Sequence, residues 1–154
     1  RQHKEVRADG QSSKGKEKVV FREVEAEDLL VSYLKESGYR VRRRPRKRSG
    51  YPDVEARGPD GKWLIEVKGE DAGGYTSAEL NFQTGLGQII SRMTDPAVSY
   101  ALAFPWTRDY RRVLKKYRGT FGFDRLKLFF FVIHQDGRVK RFSPGAFRNL
   151  LDCL

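Results

Sequence analysis

The sequence predicts an α/β domain in which helices cover a central mixed β-sheet. Three observations carry that expectation. Apolar residues recur at helical spacing in several separate segments. Between them lie short runs with strand alternation or unbroken apolar character. Their order is helix, strands, helix, strand, helix, strand, strand, helix, which suits helices packed on a sheet.

Residues 1–18, RQHKEVRADGQSSKGKEK, hold too little apolar surface to offset the entropy of ordering. They read as a flexible polar tail or linker ahead of a domain spanning 19–154. Residues 20–37 then predict a helix, with Ala26, Leu29, Leu30, Tyr33 and Leu34 on one face and Gly38 as its stop. YRVRRR reads as a strand that runs into a basic loop, PRKRSG. PDVEA and KWLIEVK follow as two strands, and the intervening RGPDG is a hairpin signal. Residues 71–77 read as a polar loop. The stretch 78–93 predicts a second helix with Phe82, Leu86, Ile89, Ile90 and Met93 on its apolar face. VSYALAF, 98–104, is a strand ended by Pro105. Residues 107–118 predict a helix with Tyr110, Val113, Leu114 and Tyr117 on one face. Arg108, Arg111, Arg112, Lys115 and Lys116 occupy the other. KLFFFVI, 127–133, has the unbroken apolar character of a buried strand. QDG turns into a last strand, RVKRF, and a short helix closes the chain.

Composition narrows the function. With 31 Lys and Arg against 20 Asp and Glu, the net charge of +11 points to a polyanionic partner. The one cysteine, Cys153, excludes an intrachain disulfide and a cysteine-based zinc site, and fits a reducing compartment. A cytoplasmic or nucleoid-associated protein is expected. No apolar run reaches the roughly 18 residues of a membrane span, so no membrane partner is expected. The start lacks the apolar stretch of a signal peptide. The chain opens at Arg1 rather than Met, as a fragment or a processed product would.

Chemistry is concentrated in SGYPDVEARGPDGKWLIEVKGE, 49–70. Side chains alternate along a strand, so Trp63, Ile65 and Val67 point one way while Leu64, Glu66 and Lys68 point the other. Pairing across the turn brings Asp53 beside Glu66. Adjacent carboxylates repel unless a cation or a proton lies between them. An all-oxygen site suits Mg²⁺ or Mn²⁺, with the Val67 carbonyl as a further ligand. Lys68 could orient a water or neutralise developing charge. The same spacing also arises in an ordinary charged hairpin, where Lys68 would make only a surface ion pair.

Further residues bear on that choice. Glu27 lies at the inward angle of the first helix, where an acid needs a partner; Glu23 shares that face one turn earlier, and the spacing leaves both open. Gln88, flanked by the poor helix formers Gly85 and Gly87, suggests a close backbone approach and an amide for a water or phosphate. Its angle lies off the apolar stripe, and Gln83 is its rival. Arg42, Arg43, Arg44, Arg46, Lys47 and Arg48 precede the paired acids, and Arg111 and Lys115 add a second basic face. Such clusters track phosphates. Glu55, Glu70 and Asp71 border the site without an assigned role. His3 and His134 are too few for a histidine-metal site. Trp106 and Tyr75 could stack on bases or simply pack.

At these residues the sequence resembles the PD-(D/E)XK nuclease superfamily, of restriction-endonuclease-like fold. PD at 52–53 and EVK at 66–68 carry the match, with Glu27 at the place of the upstream helix glutamate. RSGYPDVEA with IEVK is similar to archaeal Holliday-junction resolvases. NFQTGLGQIISRM with YALAFP is similar to the branch with a helical GQ motif. The resemblance implies a DNA phosphodiesterase dependent on Mg²⁺ or Mn²⁺, acting on duplex or branched DNA. By it Asp53 and Glu66 bind metal, Lys68 is catalytic, and Glu27 and Gln88 assist. Dimers are common among related nucleases, so a homodimer is a further expectation. A non-catalytic DNA-binding module and an RNA-directed nuclease are the competing expectations.

Overall fold

The computed structural model describes residues 20–45 and 50–154. The expected tail at 1–18, and Arg46, Lys47 and Arg48 of the basic loop, lie outside the described residues.

The first helix, α1 (Glu23–Glu36), opens with Glu23 and Glu25 in its first turn, where acids favour the helix dipole. Glu25 accepts a hydrogen bond from the Arg22 amide at 3.1 Å. Its buried stripe is Ala26, Leu30, Val31 and Leu34. Three strands then form an antiparallel meander: β1 (Arg40–Arg43), β2 (Val54–Gly58) and β3 (Gly61–Val67). Helix α2 (Gly74–Ser91) carries the chain to β4 (Ser99–Pro105), which runs parallel to β3. Helix α3 (Arg108–Leu114), a 3-10 turn at Lys115–Tyr117 and the short α4 (Phe121–Asp124) lead to β5 (Leu128–Ile133), parallel to β4. β6 (Val139–Phe142) pairs antiparallel with β5, and α5 (Pro144–Asp152) follows. The result is a six-stranded mixed sheet in the order β1-β2-β3-β4-β5-β6, flanked by helices.

The pleat divides the apolar residues between two cores. Val54, Ala56, Trp63, Ile65 and Ala101 face α1. Leu102, Phe104 and Phe130 face the other layer, with Phe82 of α2, Tyr110 of α3 and Phe147 of α5. Phe104 stacks on Tyr110 with ring centroids 5.5 Å apart. Helix α2 packs on β3 and β4, and α1 reaches across β1, β3, β4, β5 and β6. Among the described residues, this asymmetry leaves one face of β1 and β2 with no helix packed over it.

Several expectations shift. The second helix begins at Gly74, so the polar loop expected at 71–77 is shorter; Asp71 accepts from the Gly73 amide at 2.8 Å and turns the chain into the helix. Ile90, placed on the apolar face, is 43% exposed because α2 packs on β3 and β4 alone in the sheet and buries a narrow stripe. The strand expected at 52–56 is Val54–Gly58, which leaves Asp53 just before it. The helix expected at 107–118 tightens after Leu114, its last buried residue, into the 3-10 turn. No helix among the described residues is long and apolar enough to cross a membrane.

Candidate functional site

Where β3 ends, the hairpin register brings the expected triad together. Val54 pairs with Ile65, so Asp53, one step further, meets Glu66. Asp53 Oδ2 accepts a hydrogen bond from the Val67 amide at 2.8 Å. The Arg44 amide donates to the Asp53 carbonyl at 3.0 Å, and Arg44 Nη2 lies 3.5 Å from Asp53 Oδ1. Backbone and side chain of Asp53 are thus both held. The Lys68 amide donates to the Ala103 carbonyl at 2.9 Å, which extends the parallel ladder one residue past the strand. Glu66 is buried at 2% exposure, and the side chain of Lys68 at 15% is nearly so.

Helix α2 lays one stripe along this strand end. Asn81, Gly85, Gln88 and Arg92 recur at helical spacing and share a face. Asn81 Nδ2 donates to the Gly69 carbonyl at 3.4 Å. A Cβ on Gly85 would stand 2.7 Å from Leu102 Cδ1 and 3.1 Å from Lys68 Cγ, so only glycine lets the helix approach this closely. Gly87 faces open space, so the close approach expected near Gln88 comes from Gly85 alone. Gln88 is half-buried, and its Oε1 is buried without a hydrogen-bond partner among the described residues. At the end of the stripe the Arg92 guanidinium pairs with Glu66 and donates to the Tyr51 carbonyl at 3.1 Å. Burial lowers the Arg92 pKa, with the Asp53 charge opposing and Arg44 adding to the effect.

From the other layer α1 delivers Glu23. Gly69 packs so tightly on the Glu23 backbone that a Cβ would not fit. The Glu70 amide donates to the Phe21 carbonyl at 2.6 Å, and Glu70 Oε1 accepts from the Phe21 amide at 3.4 Å. These contacts fix the helix start against the chain after Lys68, and Glu23 Oε1 stands 4.0 Å from Lys68 Nζ. Burial raises the Glu23 pKa and Asp53 raises it further, against the pull of Lys68 and Arg44. Glu27, one turn on, is half-buried. Burial raises its pKa too; Arg43 opposes this, and Asp53, Glu23 and Asp28 add to it. Glu23 is thus the acid at Lys68, while Glu27 feels the opposing charges of Arg43 and Asp53.

The other expected residues divide. Gln83 is exposed and hydrogen-bonds Tyr117, away from the strand end. Glu55 shares the Asp53 face but pairs with Lys62 at 3.1 Å. The arginines of β1 alternate: Arg42 lies opposite Glu55, whereas Arg43 turns toward α1 and pairs with Asp28 at 2.7 Å. Arg111 and Lys115 are exposed and line a shallow hollow with Arg108, Arg112 and Leu154. The Tyr110 hydroxyl donates to the Gly69 carbonyl at 2.7 Å, which ties α3 to the same end of the sheet. Trp106 and Tyr75 lie under arginines, Arg111 at 5.9 Å and Arg112 at 4.4 Å. Arg92 was missed in the sequence, although it stands one helical turn beyond Gln88.

Among the described residues no group of three or more His, Cys, Asp or Glu side chains could hold a metal ion. The oxygen donors at the strand end are therefore the carboxylates of Asp53 and Glu66, with the Val67 carbonyl beside them. Compared with known proteins, the chain matches no family model, no curated protein and no solved structure.

Proposed function

We propose that this protein is a divalent-metal-dependent DNA endonuclease of PD-(D/E)XK type on a restriction-endonuclease-like scaffold. The observation that carries the reading is the convergence of Asp53, Glu66 and Lys68 where β3 ends, under α2 and the start of α1. The order of helix, antiparallel meander, helix and two parallel strands supports the scaffold.

The donor set fits Mg²⁺ or Mn²⁺. Mg²⁺ keeps several waters and takes one or two carboxylates plus substrate phosphate, so Asp53 and Glu66 suffice without a third acid. The Val67 amide holds Asp53 Oδ2, and Oδ1 faces Arg44 Nη2 at 3.5 Å, a loose ion pair that a bound cation would replace. Such a cation lowers the pKa of bound water and offsets phosphoryl charge. Lys68, with its stem against Gly85, brings an ammonium to the phosphate oxygen where charge develops. Glu23 holds that ammonium from the α1 side. Gln88, whose Oε1 has no partner among the described residues, accepts a hydrogen bond from a water and orients it.

The test is cleavage of plasmid, linear, single-stranded and four-way-junction DNA with Mg²⁺, Mn²⁺ or EDTA. Asp53→Ala and Lys68→Ala should abolish cutting and leave salt-dependent binding in place. Metal-dependent cutting that survives both substitutions overturns the reading. One observation favours a second reading, a DNA-binding module without cleavage: the Glu66 carboxylate already carries Arg92. Binding with no cutting under any cation would decide for it.

A further inference from the structure

One face of the meander carries a row of cations that no helix among the described residues covers. Across β1, β2 and β3 the register sets Arg40 opposite Arg57 and Arg57 opposite Lys62. Two residues along, Arg42 faces Glu55, and the next step is Arg44 beside Asp53. These residues share one face, because Val41, Ala56 and Trp63 at the alternate positions belong to the core under α1. Arg40, Arg42 and Arg57 are exposed, and no carboxylate among the described residues pairs with them. The carboxylate between them, Glu55, is taken by Lys62. Two adjoining hollows run along this face. The first is lined by Arg40, Val41, Arg42, Glu55 and Arg57, and the second passes Arg42, Arg43 and Arg44 to Tyr51 and Pro52. The groove therefore ends next to Asp53.

We propose that this uncovered sheet face is the docking platform for duplex DNA, with Arg40, Arg42 and Arg57 gripping phosphates of one strand and leading it to Asp53. The identity of the polyanion rests on the nuclease reading; the platform rests on the register. Alternate residues of a strand lie about 6.7 Å apart, a repeat close to that of successive phosphates. Guanidiniums bind phosphate bidentately. The strand positions that form this face carry no aromatic side chain, and among the described residues lining the groove only Tyr51, at its end, has a ring, so successive bases of a single strand find no stacking row. The platform thus suits a paired, backbone-presenting duplex. Arg43 borders the second hollow, but its guanidinium is turned to α1 and paired with Asp28, so it offers the platform no free charge.

The experiment is a fluorescence-anisotropy titration of a short labelled DNA duplex in EDTA across a range of salt concentrations. Cleavage is silent under these conditions, so the platform is tested apart from the chemistry. The triple variant Arg40→Gln/Arg42→Gln/Arg57→Gln should bind at least about tenfold more weakly. Its salt slope should fall by about 2 to 3, near 0.9 for each phosphate that is no longer neutralised. Arg43→Gln should lose clearly less binding than Arg42→Gln alone. Circular dichroism melts check that each variant is folded. An unchanged slope in the triple variant overturns the platform, as does a loss with Arg43→Gln equal to that of Arg42→Gln alone. Tighter binding of single-stranded DNA or of duplex RNA of the same length overturns its assignment to duplex DNA. If the platform holds while no cation supports cutting of any DNA, the nuclease reading alone fails.

Discussion

The Arg92 guanidinium lies against the carboxylate of Glu66, bringing the end of α2 onto the last residues of β3. Glu66 is almost fully buried, so this contact supplies the counter-charge that its burial requires. A divalent cation that takes Glu66 competes with the guanidinium for the same carboxylate. Arg92→Gln is therefore expected to lower stability in EDTA by about 3 kcal/mol, the cost of leaving a buried charge unpaired. The same variant should gain more from Mn²⁺ than wild type does, because binding to the native state raises stability by mass action. Thermal melts with and without Mn²⁺ measure both. A cation-induced rise no larger than that of wild type would mean that Arg92 and the cation do not compete.

Two glycines of α2 make opposite predictions from one substitution. Alanine relieves the entropic cost of glycine in a helix by about 0.5–1 kcal/mol. Gly87 faces open space, so Gly87→Ala should stabilise by roughly that amount. At Gly85 the new Cβ would meet Leu102 and the stem of Lys68, so Gly85→Ala should cost about 1–3 kcal/mol through overpacking. It should also displace Lys68 and slow cleavage. Urea denaturation of the pair gives the sign of each effect; a stabilising Gly85→Ala would refute the close approach.

The pattern that made the site legible was short-range. Strand alternation put Glu66 and Lys68 on one face, and a hairpin turn of fixed register carried Asp53 to them. The apolar runs likewise marked each strand. What escaped was decided by packing between distant segments. Glu23 rather than Glu27 reaches Lys68 because Gly69 admits the Glu23 backbone, a close approach with no local signature. The arginine row read as one cluster, yet the pleat splits Arg42 from Arg43, and only the position of α1 distinguishes the two faces. Arg92 carried a signal, its helical spacing from Gln88, but its meaning depends on Glu66 being buried, which a charge pattern does not reveal.

Glu23 and Glu27 give stability a pH dependence of definite sign. Both have raised pKa values, chiefly through burial, so the folded state holds their protons more tightly than the unfolded chain. Their contribution is fully present below the ordinary glutamate value of 4.5 and is lost as pH rises through the raised folded values. Glu23→Gln/Glu27→Gln removes both groups. Its urea midpoint should therefore decline less than that of wild type between about pH 4 and about pH 7. Parallel pH profiles would show that the two carboxyls do not drive the dependence.

Gln88 separates stability from activity. Its Oε1 is buried without a donor among the described residues, and an unsatisfied buried acceptor costs about 1–3 kcal/mol. Replacement by an apolar side chain of similar length removes that burden. Gln88→Leu should therefore melt at or above the wild-type temperature. Under the proposed function the same acceptor orients a water by accepting its hydrogen bond at the strand end, so Gln88→Leu should cut DNA more slowly, by up to about 10²-fold, as misplacement of a reacting group implies. Gln88→Glu, which keeps an acceptor at that place, should recover part of the rate. Single-turnover cleavage and thermal melts on the same preparations check both halves. A variant that melts higher and cuts at the wild-type rate would return Gln88 to a purely structural position on α2.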